Sequence, residues 1–272
     1  LHGVSDGPHW YGQKDFSSES TGPDYPIALS PDMFNERMPS PNLVLTEACY
    51  GANVLKKQYE EALSLKFLDS GTTSFIGSTC IAYGSVTSPL VAADFLAEKF
   101  WQQILQGQPA GYALMQAKLS LAEEMTRLQG FLDGEDQKTI LSFILFGDPL
   151  AVHDGIQTMP KPVFRIKTHP AVKTISDSDM EPSSDSTHLP KNVNRQVKKT
   201  MEKYLPGLQN AQMHYNKSAE MGVGKTSKSA DTGRYVVTLQ KSFDQNQHIT
   251  HHHFARMTFD KKGKLVKFTT SR

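Results

Sequence analysis

From residue 155 to residue 192 the chain carries several prolines and polar runs, Ser176-Asp177-Ser178-Asp179 and Ser183-Ser184-Asp185-Ser186. Too few apolar groups lie there to offset the entropy of ordering the backbone. A chain interrupted this way does not close around one continuous core, so it reads as two folded parts joined by a linker. Charge divides at nearly the same place. Residues 1–150 hold 9 Lys/Arg and 18 Asp/Glu, whereas residues 151–272 hold 20 and 10, so the formal net charge of +1 conceals an acidic part and a basic part.

A length of 272 residues suits two ordinary domains. With 38% hydrophobic and 21% charged residues, the composition excludes a collagen-like or wholly disordered chain. The longest apolar stretch, residues 140–146, falls far short of the roughly 20 residues that a helical membrane span needs. Two cysteines, Cys49 and Cys80, exclude a disulfide scaffold and leave one bridge open. The opening Leu1-His2-Gly3 reads as the middle of a longer sequence, a processed chain or a fragment, with no start methionine or signal peptide in view.

Residues 4–41 are rich in Gly, Pro, Ser and Asp with little periodicity and read as a long loop. Leu43-Val44-Leu45 suits a buried parallel strand that stops at Thr46-Glu47-Ala48-Cys49-Tyr50-Gly51. Helical spacing follows over residues 55–68, with Gly71 placed to end it, and residues 73–81 return to strand composition. After Ser88-Pro89 an apolar stripe from Leu90 through Phe100 to Leu105 predicts a helix, and residues 110–128 predict another. The type of segment 140–146 stays open before the turn Gly147-Asp148-Pro149. This alternation predicts an α/β domain with a largely parallel sheet. Past the linker, a helix over residues 193–205, a strand over 235–239 and a hairpin turning through Asp260-Lys261-Lys262-Gly263 predict a small α+β domain.

Cys49 is the best-placed nucleophile. It follows an apolar strand, where ligands of open α/β sheets bind, and Gly51 allows close backbone approach. A thiolate needs a partner to stabilise it or to shuttle protons, and His2, also followed by glycine, is the natural one. The competing reading makes Cys49 a buried core thiol. His9 lies in the loop Gly7-Pro8-His9-Trp10 and ranks behind His2. Cys80, in an apolar strand-like run, reads as an inert structural thiol. Residues 219–226 fit a permissive phosphate-loop pattern but lack the preceding buried strand and the following helix, so nucleotide binding is not assigned.

His248, His251, His252 and His253 form a dense imidazole cluster. On a strand only His251 and His253 share a face, so a solvated strand is the stronger reading than a metal site. The basic second half predicts attraction to anionic surfaces, polymers or the acidic first part; sparse aromatic interleaving gives no case for nucleic acid.

Leu1-His2-Gly3 resembles the His-Gly box, and Thr46-Glu47-Ala48-Cys49-Tyr50-Gly51 the Ala-Cys box, of caspase-like cysteine peptidases of clan CD. Within that clan the chain is most similar to the gingipains, peptidase family C25. Supporting segments are Gly71-Thr72-Thr73-Ser74-Phe75-Ile76-Gly77-Ser78-Thr79 and the closing Leu145-Phe146-Gly147-Asp148-Pro149-Leu150. The resemblance spans about residues 1–152. It implies a caspase-like sheet flanked by helices, and a dyad in which Cys49 attacks the scissile carbonyl while His2 supports the thiolate and protonates the leaving amine. Gly3 and Cys49 would supply the oxyanion-hole N–H groups, and Glu47, Ser78, Thr79 and Tyr83 are candidate pocket residues. It implies no cofactor, a peptide or protein substrate, and a bacterial, extracellular or cell-envelope setting. In the family several strands precede the histidine box, so an upstream segment of the same precursor is expected to complete the sheet.

The sequence thus predicts residues 1–154 as part of a gingipain-like peptidase domain, 155–192 as a flexible linker and 193–272 as a small basic domain. The leading expectation is a cysteine endopeptidase. The alternatives are a catalytically inactive scaffold of the same fold with a C-terminal binding module, and a metal- or polyanion-binding protein centred on residues 193–272.

Overall fold

The computed structural model describes residues 1–14, 21–34, 40–152, 180–183, 189–220, 230–246 and 249–271. Strands β1 (His2–Gly3), β2 (Trp10–Tyr11) and β3 (Ile27–Leu29) pair antiparallel in that order. β2 and β3 lie within the span, residues 4–41, expected to be one long loop. Burial of the Trp10 and Tyr11 rings anchors a stretch whose sequence shows no periodicity.

β4 (Leu43–Leu45) lies parallel to β5 (Ser74–Ser78), with α1 (Leu63–Asp69) between them in sequence. The helix expected from residue 55 starts only at Leu63. Lys56 takes φ 58° and Leu55 is exposed, so the upstream helical spacing goes unused. Gly71, at φ 104°, ends the segment as its position predicts.

β6 (Tyr83–Ser85), α2 (Ala92–Leu105), α3 (Ala110–Gln129), α4 (Gly134–Ser142) and β7 (Phe143–Gly147) follow. The open segment 140–146 proves to be the end of α4 and most of β7. β7 follows directly on α4 and pairs antiparallel with β5, so the sheet β4-β5-β7 is mixed rather than largely parallel. The fold is mixed α/β.

Leu96, Phe100 and Ile104 of α2 recur every fourth residue and are fully buried against Ala113, Ala117 and Leu121 of α3. The two alanines let the helix backbones approach, while each large side chain contributes about 1.5–3 kcal/mol by leaving water. Ile76 and Phe143 extend this core to the sheet. No helix among the described residues is long and apolar enough to cross a membrane.

The second part consists of β8 (Met180–Ser183), α5 (Lys191–Tyr204), β9 (Gln212–Glu220), β10 (Ala230–Asn246), β11 (Ile249–Phe259) and β12 (Leu265–Ser271). Val193 and Val197 of α5 pack on Val237, Leu239, Met257 and Phe259. Gly263, at φ 79°, turns the predicted hairpin between β11 and β12. Most of the expected linker, residues 155–179 and 184–188, lies outside the described residues, as do residues 221–226 of the phosphate-loop pattern. Within the linker range, β8 forms one edge of the sheet.

The sheet order is β6-β12-β11-β10-β9-β8, so the second part recruits β6 from the first. Strand alternation makes β12 two-sided. Phe268 enters the core under α5, while Lys267 and Thr269 face α4.

Candidate active site

Cys49 sits where the predicted strand ends. Beyond β4, Thr46 N–H still donates to Ile76 O at 2.9 Å, and Thr46 Oγ1 accepts from Ala48 N–H at 3.2 Å. The chain then reverses: Tyr50 takes φ 55° and its N–H donates to Cys80 O, while Gly51 N–H reaches Ala48 O. A left-handed tyrosine costs on the order of 1–2 kcal/mol. The surrounding hydrogen bonds hold the turn, so the conformation of the residue after Cys49 is fixed rather than sampled. Cys49 is 1% exposed, and its thiol points to Ala82 O at 3.5 Å.

β1 brings His2 and Gly3 to this turn. A Cβ at Gly3 would collide with the carbonyl oxygen of Cys49, so only glycine permits the approach. His2, Gly3, Cys49 and Tyr50 line one small cavity of about 30 Å³, together with Thr250 and His252 of β11. The structure therefore brings the two predicted boxes together, under the sheet of the second part.

The His2 imidazole lies inside an aromatic group. Its ring centroid is 5.0 Å from His251, 5.3 Å from His253 and 5.8 Å from Tyr25. Tyr25 stacks on His251 at 4.3 Å, and its hydroxyl lies 2.8 Å from His253 Nε2. Burial, helped by Asp24, pushes the Tyr25 phenol up to about 12. Burial, the neighbouring His251 and Lys241 push His253 down to about 4. Burial also lowers His251. The expectation of a solvated histidine strand is therefore corrected for His251 and His253; His252 is exposed as expected, and His248 lies outside the described residues. His251 and His253 do share a face, as alternation requires, but that face closes over β1, where Tyr11 and Tyr25 exclude water. Among the described residues no group of three or more His, Cys, Asp or Glu side chains is arranged to hold a metal ion.

The remaining predicted residues scatter. Glu47 is half-buried beside the turn. Ser78 is buried, with its hydroxyl on Cys80 O and Ser142 Oγ, and Thr79 Oγ1 donates to Ser142 O. Neither lines the cavity around His2 and Cys49. Tyr83 opens β6, pairs with Ser271 and carries Lys138 Nζ at 5.7 Å from its ring. Cys49 and Cys80 form no disulfide. Cys80, expected inside a strand, lies just past β5 and is half-buried, because the strand stops at Ser78. His9 meets the edge of Tyr11 instead of the Cys49 cavity.

A larger cavity of about 460 Å³ opens on the other side of His2, between Tyr11, Tyr25, Ser85, Tyr204 and Phe243. Neither Tyr25 nor Phe243 belongs to a motif, so no sequence signal points to them here.

Residues 26–152 match a family model described as Peptidase family C25. The C25 segment contains Cys49, both strands that position it and β6; His2 and Gly3 precede it. The match is to a family of cysteine peptidases, hydrolases of peptide bonds. No curated protein and no solved structure matches the chain.

Proposed function

We propose that the chain is a gingipain-type cysteine endopeptidase in which Cys49 is the nucleophile and His2 its proton partner. The observation that supports this best is the shared cavity of His2 and Cys49, with Gly3 against the Cys49 carbonyl, at a turn inside a C25 segment. The Cys49 proton passes to His2, and the sulfur attacks the scissile carbonyl carbon. The N–H groups of Gly3 and Cys49 bind the resulting oxyanion, a contribution of about 3–4 kcal/mol for a donor of this kind. His2 returns the proton to the leaving amine as the C–N bond breaks, leaving a thioester on Cys49. Water, deprotonated by His2, then releases the acid and restores the thiol.

In this reading residues 1–154 belong to the peptidase part, 155–192 to a linker and 193–272 to a basic module, and the setting is extracellular or the cell envelope of a bacterium. Peptide hydrolysis, assayed before and after limited proteolysis of the chain, is expected to vanish in Cys49→Ala and to fall about 10²–10⁴-fold in His2→Ala. Unchanged hydrolysis in Cys49→Ala rejects the assignment.

The near-complete burial of Cys49 favours one second reading, a non-catalytic scaffold. That reading requires Cys49 to resist a thiol-directed alkylating probe under every condition in which the chain remains folded.

A further inference from the structure

β12 pairs with β6 beside the small cavity that His2 and Cys49 share. β6 begins one residue after Ala82, whose carbonyl receives the Cys49 thiol, so an extended peptide lying along β6 runs directly past the sulfur. One edge of β6 is closed by its own neighbours. Asp94 Oδ2 accepts from Ser85 N–H at 2.6 Å, and Ser85 Oγ accepts from Val91 N–H at 2.7 Å. The other edge is taken by β12, antiparallel, with Thr269, Thr270 and Ser271 opposite Ser85, Gly84 and Tyr83. Main-chain pairing of this kind is how sheets accept extended peptides.

β11 completes the closure. Thr250 and His252 roof the space at Cys49, and what remains, about 30 Å³, is the room of one water molecule. His251 and His253 cover the His2 ring from the aromatic side. Below, Lys267 and Arg256 hold the same sheet to Asp133, Glu135 and Asp136 at the start of α4. An acidic surface and a basic sheet thus meet in a buried contact, far from the few exposed pairs that salt weakens.

We infer that the face formed by β6, His2 and Cys49 is a peptide-accepting surface occupied by the chain's own β11–β12 hairpin, so that the form described is latent and opens when β12 leaves β6. This rests on the peptidase reading for what enters afterwards, but the closure itself does not. Opening requires the last strand to peel from β6 and the β11 roof to lift, which exposes the sulfur and frees the edge for a substrate strand.

The test uses two variants of the full chain, Thr270→Pro and a chain ending at Phe268, each compared with wild type. Alkylation of Cys49 by iodoacetamide, read by mass spectrometry relative to Cys80, is expected to rise at least ten-fold in both, and peptide hydrolysis is expected to rise with it. Faster alkylation without hydrolysis supports closure and overturns the peptidase reading. Unchanged alkylation, with hydrogen exchange showing the Tyr83–Ser85 amides released, overturns the closure. So does a wild-type chain whose Cys49 alkylates as fast as Cys80. Should both variants fail to fold, alkylation of wild type at low urea decides: Cys49 must become reactive before far-ultraviolet circular dichroism reports global unfolding, and simultaneous onset overturns the proposal.

Discussion

Lys267 Nζ lies 2.7 Å from Asp136 Oδ1 and 2.9 Å from Asp133 Oδ2, joining the last strand to the start of α4 with all three side chains buried. Burial alone would lower the lysine, but Asp133, Asp136 and Glu135 raise it above its usual range, so it stays charged. Removing it strands buried carboxylates. Lys267→Met is expected to destabilise the chain by roughly 3–5 kcal/mol, the cost of breaking a buried pair from one side. A urea titration checks this; a change under 1 kcal/mol, within what exposed pairs contribute, would refute the buried network.

Asp136 holds its proton more tightly than an ordinary carboxyl. Burial and the adjacent Asp133 push it up to about 8, whereas Asp133, which burial would raise, is held low by Lys267 and Arg256. Burial raises Glu135 as well, so of the three acids facing Lys267 and Arg256 only Asp133 is held low. A carboxyl whose folded value is raised binds its proton more tightly folded than unfolded, so its contribution favours the fold at low pH and declines as pH rises from about 4 to about 8. Asp136→Asn removes that decline. The variant is expected to gain on wild type in Tm as pH increases across this window, and parallel Tm profiles would contradict the assignment.

Gly3 tolerates no side chain, because a Cβ there collides with backbone, the carbonyl oxygen of Cys49, which cannot rotate away. Gly3→Ala is expected to cost about 1–3 kcal/mol as overpacking does, and to separate β1 from the Cys49 turn. Chemical denaturation measures the first effect. A crystal structure of the variant that leaves His2 and Cys49 in one cavity would overrule the second.

The sequence made the local frame legible wherever one signal dominated. The short run Leu43-Val44-Leu45 proved to be β4, and the four-residue spacing of Leu96, Phe100 and Ile104 found the buried face of α2. His2 and Cys49 were legible because glycine marks both close approaches. What stayed hidden was the relation between the two parts. Charge asymmetry hinted at attraction, but nothing local says that Lys267 pairs with Asp133, 134 positions away. The imidazole run was misjudged for the same reason: alternation sets which histidines share a face, while only tertiary packing decides what that face meets.

His253 gives the closed cleft a pH response of definite sign. Its ring faces Tyr25, Phe243, His2 and His251, with Lys241 contributing a further positive charge. Its value is lowered to about 4 from the usual 6.5, so the folded, closed form binds a proton less readily than the open one. Closure is therefore fully favoured above about 6.5 and weakens as pH falls toward about 4. His251, lowered by burial against the partly opposing charge of Asp6, acts in the same direction. Asp136 acts oppositely over part of this range, so wild type alone does not isolate the effect. His253→Gln, neutral throughout, does. The ratio of Cys49 to Cys80 alkylation is expected to climb several-fold in wild type between pH 6.5 and pH 4.5 and to climb less in the variant. Superimposable profiles would remove the histidine contacts from the closing mechanism and leave strand pairing to carry it.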